Sequence, residues 1–188
     1  MKLFLTLLAL VLVFPSAAVA ADDSIEVVFP QDPTVTELTD SWGAPRAGHS
    51  HQGNDLMAPK MTEVYAIADG VVTVIRDRAG SAGRYVVIDH GDGWESWYMH
   101  LNNDHPGTDD GAATLSLGVA VFERELVEAG QVIGWVGDSG NAEGSSAHTH
   151  FELHKDGRPI DPYPHLLPAY EKALEQARPT PTGAVRPI

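Results

Sequence analysis

Short runs rich in apolar, β-branched and aromatic residues, some of them alternating with polar ones and bounded by glycine, proline or aspartate, recur along most of the chain. A period of two marks half-buried strands. Residues 64–68 form one such run and residues 71–76 a second, and the Asp69-Gly70 between them predicts a hairpin. Residues 84–89 are a third run, and Gly91-Asp92-Gly93 turns the chain into an aromatic strand over 94–101. A second β block comprises residues 131–136, a glycine-rich loop through Ser146, residues 149–154 and a turn at Asp156-Gly157. Upstream, residues 25–29 read as an edge strand ended by Pro30 and Pro33. Residues 102–128 are less regular and read as an inserted loop over one face, with a short strand at 119–122. Residues 165–177 are the helix candidate, interrupted by Pro168. The pattern predicts a mostly β, antiparallel domain with a short C-terminal helix.

The ends and the composition narrow this further. Met1-Lys2, an apolar run to Phe14 and Ala18-Val19-Ala20 have the form of a signal peptide cleaved near Ala20. The apolar run is shorter than the roughly 20 residues that a spanning helix needs. The expectation is a secreted protein, periplasmic or at the cell wall, with no membrane span in the mature chain. Residues 21–40 form an N-terminal segment, 41–165 the domain proper, and 166–188 a helix and Pro-rich tail. Hydrophobic residues make up 43% and charged residues 20%, which excludes general disorder. A net charge of −14 disfavours nucleic acid and other polyanions as partners. Cysteine is absent, so disulfides, thiolate zinc sites and thiol catalysis are excluded. Any bound metal must be held by His, Asp or Glu.

Nine histidines carry the candidate chemistry. His51 and Asp55 stand four apart beside Gly53 and Asn54, which argue against a helix. On extended backbone such a pair shares one side. His148 and His150 flank Thr149, so on a strand both imidazoles face one way. His49 and His51 repeat that spacing. Two imidazoles and a carboxylate with one open position make the donor set of a catalytic zinc. His51, Asp55 and one of His148 or His150 supply it, and spacing does not say which. Spare histidines, His100 among them, would orient water, take its proton or steady an oxyanion. His90 reads as structural or groove-lining, His49 as a surface residue that could also line the cleft near His51, and His105, His154 and His165 as exposed. Tyr98 is expected in the core, on the same face as His100.

Taken together, these segments resemble the lysostaphin-type (LytM-like) zinc metalloendopeptidases, which cut peptide cross-links of bacterial peptidoglycan. The resemblance rests on residues 42–46 (Trp-Gly-Ala-Pro-Arg), His51-x-Gly53-x-Asp55, Tyr65-Ala66 and Gly70. It continues through His90-Gly-Asp-Gly93, Tyr98-x-His100-Leu101, Gly130 to Gly134, Gly137-x-x-Gly140, His148-x-His150-Phe151-Glu152 and Asp161-Pro162. It implies an open-grooved barrel-sandwich hybrid of the duplicated hybrid motif type, with one Zn²⁺ per chain. It implies zinc ligands at His51, Asp55 and His150, and catalytic histidines at His100 and His148. Thr149 departs from the Leu more usual there, and the 102–128 insertion exceeds a minimal core. Rival expectations are a non-catalytic wall-binding or hydrolase-regulating module of the same fold, another zinc hydrolase, and a metal-storage protein. Latency, with residues 22–40 or the insertion covering the groove, is a further one.

Overall fold

A computed structural model describes residues 24–178. The expected signal peptide and the end of the Pro-rich tail lie outside the described residues. The strands are β1 (Glu37–Leu38), β2 (Pro45–Arg46), β3 (His49–Ser50), β4 (Asn54–Met57), β5 (Glu63–Tyr65), β6 (Gly70–Ala79), β7 (Gly83–Gly91), β8 (Trp94–Leu101), β9 (Leu126–Val127), β10 (Val132–Trp135), β11 (His148–Lys155) and β12 (Arg158–Ile160). One α-helix, α1 (Tyr163–Ala177), follows.

An eight-stranded antiparallel sheet runs β1-β4-β11-β8-β7-β6-β9, with β12 also paired to β11. Two small sheets, β5-β10 and β2-β3, accompany it. Alternation divides the large sheet into two faces. Leu56, Val72, Val86, Ile88, Tyr98, Phe151 and Leu153 join Val64 and Ile133 of the small sheet in one buried cluster. Leu166 and Ala169 of α1 complete it. The opposite face carries Asp55, Met99 and the even-numbered residues of β11, and it forms the floor of an open cleft. The mostly β, open-grooved architecture with one C-terminal helix is therefore as expected.

Several local expectations need correction. Residues 69–70 do not close a hairpin. β5 pairs with β10 and β6 with β7, so the chain crosses between sheets there. Gly70 serves close approach instead, because a Cβ would meet the Asp89 carbonyl oxygen at 2.6 Å. Residues 25–29 form no strand, although the Val28 N–H donates to the Ile67 carbonyl at 2.7 Å. Pro30 denies that stretch a continuous ladder. Residues 119–122 also fall outside the strands, and Val119 and Val121 serve as core side chains of an irregular segment. Helix α1 passes through Pro168, which sits in its second turn. Burial of Leu166 and Ala169 outweighs the single missing N–H.

The insertion is lashed to the body from beneath. Arg84 is fully buried, and its guanidinium donates to Asp77, to the Asn102 and Thr114 carbonyls at 2.7 and 3.0 Å, and to Ala113 O at 3.2 Å. A planar five-donor head is suited to gathering several acceptors at once.

Candidate metal centre

Asp55 lies on β4 directly opposite His150 on β11. His51 precedes β4 and is pulled into line by the residues before it. Its Nδ1 meets the Ser41 carbonyl oxygen at 2.7 Å, and the Asp55 N–H donates to Ser41 Oγ at 3.1 Å. The Asn54 side chain donates to Thr39 O at 2.8 Å. The described part of the N-terminal segment thus supports the cleft from behind, and none of it lines the cleft.

Three atoms converge. His51 Nε2 lies 3.0 Å from Asp55 Oδ1 and 2.8 Å from His150 Nδ1, and His150 Nδ1 lies 3.0 Å from Asp55 Oδ1. Both far ring nitrogens are engaged. A carbonyl oxygen only accepts, so His51 Nδ1 carries the hydrogen donated to Ser41. His150 Nε2 faces Glu152 Oε1 at 3.0 Å. Two lone pairs and a carboxylate oxygen therefore point at one spot, an arrangement that repels itself unless a cation lies among them. Corners of a tetrahedral zinc site with bonds of about 2.0–2.2 Å stand roughly 3.4 Å apart. The donor triangle is only slightly tighter, so the residues fit a zinc ion bound through His51, Asp55 and His150.

The protonation pattern agrees. Burial alone would raise the Asp55 carboxyl, but hydrogen bonds from His150 and His51 outweigh it and hold it far below the usual range. Burial opposes charge on His150, yet Asp55 and Glu152 push its pKa up to about 9. Glu152, despite burial, is drawn down to about 2 by His150 and His154. The cluster attracts positive charge, and in the free protein a proton on His150 supplies it. Arg46 Nη2 holds Asp55 Oδ2 at 2.6 Å, which leaves Oδ1 to the imidazoles.

Two more histidines stand over this triangle. The His148 ring has its Nδ1 2.8 Å from Ser146 O, and its Nε2 lies 3.8 Å from Asp55 Oδ1. His100 Nδ1 is 2.8 Å from Ser139 O, and its ring centroid is 5.0 Å from that of His148. Each carbonyl fixes the hydrogen on Nδ1 and leaves Nε2 as the atom the ring offers the cleft. Burial lowers the His100 pKa to about 4, so its ring is neutral at neutral pH. The expectation that His100 shares a face with Tyr98 is wrong. The β7-β8 register shifts between Arg84/Leu101 and Val86/Tyr98, and His100 has φ 60°. This bulge turns Met99 and His100 both toward the cleft, while Tyr98 stays in the core.

The cleft measures about 430 Å³. The β2-β3 hairpin with Arg46 and His49 walls one side, and Asn141, Ala142 and Ser145 another. The insertion lines none of it, contrary to an insertion draped over the groove. It braces a wall from outside: Asn103 Nδ2 donates to Glu143 at 3.0 Å, and Lys60 Nζ joins Asp104, Asp109 and Asp138 at 2.7, 2.5 and 2.8 Å. A larger depression of about 650 Å³ lies near His90 and Trp94. His90 itself is engaged by Asp69 O and Ser96 Oγ at 2.8 and 2.7 Å, a structural role as expected. His154 is not exposed but 8% accessible. Sequence reasoning gave Arg46 and Glu152 no chemical role, although both stand within quoted motifs; Ser41 and His154 offered no signal.

Comparison with known proteins places this geometry in a family. Residues 49–162 match Peptidase family M23. The DD-carboxypeptidase/endopeptidase Mpg of Neisseria meningitidis is 36% identical over 122 residues, 64% of this chain and 24% of that protein. The murein hydrolase activator NlpD of Escherichia coli is 29% identical over 134 residues, 71% of this chain and 30% of that protein. The match thus spans only about a quarter to a third of these curated relatives, 24% and 30%. A zinc-containing peptidase from Vibrio cholerae superposes with a TM-score of 0.56 at 29% identity, over 71% of this chain and 37% of that one. Lysostaphin from Staphylococcus simulans superposes with a TM-score of 0.62 at 26% identity, over 85% of this chain and 61% of that one. A match over most of the chain, from β3 to the residue before α1, establishes that the protein belongs to peptidase family M23.

Proposed function

We propose that this chain is an exported zinc endopeptidase that hydrolyses peptide cross-links of bacterial peptidoglycan. The observation that carries the proposal is the meeting of His51 Nε2, Asp55 Oδ1 and His150 Nδ1 within 3.0 Å, with both outer ring nitrogens engaged. These three side chains hold the metal. Zinc bound there supplies Lewis acidity and lowers the pKa of its water toward about 7.

The remaining steps belong to the chain. The cleft floor and the wall at Asn141 and Ser145 seat an extended peptide with its scissile carbonyl over the triangle. His148 and His100, each hydrogen-bonded through Nδ1, present proton-free Nε2 atoms to the reacting groups. One accepts the proton of the attacking water at Nε2, and the charged ring then steadies the tetrahedral oxyanion. That same ring then returns its proton from Nε2 to the leaving amine and is proton-free again, while the other ring accepts a hydrogen bond at its Nε2 from the reacting groups. Burial disfavours charge on His100, which suits its ring to accept a hydrogen bond more than to take up a proton.

The reading of export rests on the leader-like first 20 residues and on similarity to the murein hydrolase activator NlpD. No helix among the described residues is long and apolar enough to cross a membrane. The deciding experiment combines zinc analysis with mass analysis of fragments released from purified walls of several cross-link types, with and without chelator. One zinc per chain and chelator-sensitive release of peptide fragments are expected. Full zinc with no cleavage of any wall type would instead assign the chain to the regulatory role named for NlpD.

A further inference from the structure

The face of β11 that carries His150 continues with Glu152 and His154. Both Glu152 oxygens are engaged: Oε1 lies 3.0 Å from His150 Nε2 and Oε2 lies 2.6 Å from His154 Nε2. His154 is held from its side. Its ring stacks on Trp97 at 4.9 Å between centroids and 7° between planes. Trp97 stacks in turn on Tyr85 at 5.9 Å and 4°. The three rings come from β11, β8 and β7, adjacent strands of the sheet. Trp97 lies directly opposite Glu152 in the β8-β11 register, so the stack stands against the carboxylate that orients His150. Both faces of the Trp97 indole are covered by rings, so the stack is not a platform for a sugar or other flat ligand. Its His154 end meets Glu152, while the Trp97 Nε1–H donates to Glu95 Oε2 at 3.4 Å.

We propose that His154 and Trp97 are positioning residues of the metal centre. The stacked rings fix His154, His154 fixes the Glu152 carboxylate, and Glu152 aims His150 Nδ1 at His51 and Asp55. A carboxylate is free to turn about its last side-chain torsion, and one imidazole on one oxygen leaves that torsion soft. A second imidazole, itself clamped by an indole, removes the freedom. Groups that hold a ligating histidine set both its tautomer and its direction. The centre thus extends two side chains beyond the donors, across three strands. This inference rests on the zinc assignment of the previous section.

The test measures zinc transfer from the loaded protein to a colorimetric chelator, and the absorption spectrum of the cobalt-substituted protein. His154→Ala and Trp97→Ala should lose zinc about tenfold faster than wild type, the low end of what outer partners contribute to metal affinity. Their cobalt bands should shift or weaken. Trp97→Phe keeps a ring on His154, and His154→Gln keeps a donor to Glu152 Oε2. Both should stay within about threefold of wild type on the same scale. Metal-free thermal unfolding checks that each variant folds. Folded alanine variants with wild-type zinc release and cobalt spectra would overturn the proposal. If His154→Ala does not fold, Trp97→Leu against Trp97→Phe decides, and equal release rates would count against the relay. A wild-type protein that binds no zinc would instead overturn the enzymatic assignment itself.

Discussion

Among the described residues, two groups of side chains lie close enough to share an ion: His51, Asp55 and His150 on the cleft floor, and Asp104, Asp109 and Glu143 at the base of the insertion. Their construction differs. The second offers only oxygens, two of its residues are exposed, and the ammonium of Lys60 already bridges Asp104, Asp109 and the neighbouring Asp138. The first offers two imidazole nitrogens and one carboxylate oxygen. Its own cation, Arg46, takes the Asp55 oxygen that faces away from the histidines. One cluster is closed by a built-in charge and works as a clamp. The other is arranged so that its charge is completed from outside. Proximity of acids therefore says little; what matters is whether the chain supplies the counter-charge itself.

Substitutions can break this contrast. The largest effect is expected for His51→Ala and Asp55→Ala. Zinc affinity should fall by more than the roughly 10–100-fold that outer partners contribute, read by metal analysis after dialysis. A fully metallated Asp55→Ala protein would remove that residue from the donor set. Next comes His148→Ala, which should keep zinc yet lose about 10²–10⁴ in turnover on wall fragments. Equal zinc loss in His148→Ala and His150→Ala would contradict the division of labour between them.

The clamp should answer differently. Lys60→Met strands Asp104 and Asp138, whose side chains are 2% exposed, without their shared ammonium. Breaking a buried pair in this way costs about 3–5 kcal/mol, to be read by denaturant unfolding, with zinc content unchanged.

A subtler signature lies in pH. His150 has a folded pKa of about 9 against an ordinary 6.5, so the metal-free folded state binds the extra proton between those values. Its contribution to stability is complete below about 6.5 and is lost as pH rises through about 9. If zinc takes the proton's place at Nδ1, the loaded protein should show a flatter or reversed slope across that window. Identical slopes with and without zinc would mean that His150 is not the site of exchange. The smallest effect is expected for Asp110→Asn, whose partner His105 is exposed. Its unfolding midpoint should match that of wild type.

The sequence made one half of this contrast readable. β7, β8 and β11 were legible because an antiparallel sheet with one buried face imprints a period of two. The turns between them were legible because Gly91, Asp92, Gly93, Asp156 and Gly157 all adopt positive φ, which few other residues favour. Asp55 and the His148/His150 pair were legible as candidates because they sit on such strands, but spacing left the choice between the two histidines open, and only the resemblance pointed to His150. What stayed hidden depended on partners distant in the chain. Asp69-Gly70 looked like a hairpin because local composition does not reveal that β5 pairs with β10. His100 was put on the wrong face because a bulge breaks the alternation that placed it. His154 was read as exposed because its cover, Trp97 and Tyr85, comes from other strands. The Lys60 clamp joins residues 44 to 78 positions apart, and no short pattern announces it.

Arg84 has a consequence that reaches beyond stability. It grips the insertion by backbone carbonyls, which every residue type possesses, rather than by particular side chains. The exposed Thr114 side chain can therefore be exchanged without loosening the grip, whereas Asn102 and Ala113 are buried and the Asn102 amide itself donates to the Asp104 and Leu117 carbonyls. Because the insertion meets the cleft only through the wall it supports, mutation there can reshape the breadth of what the cleft admits while the reacting atoms stay where they are.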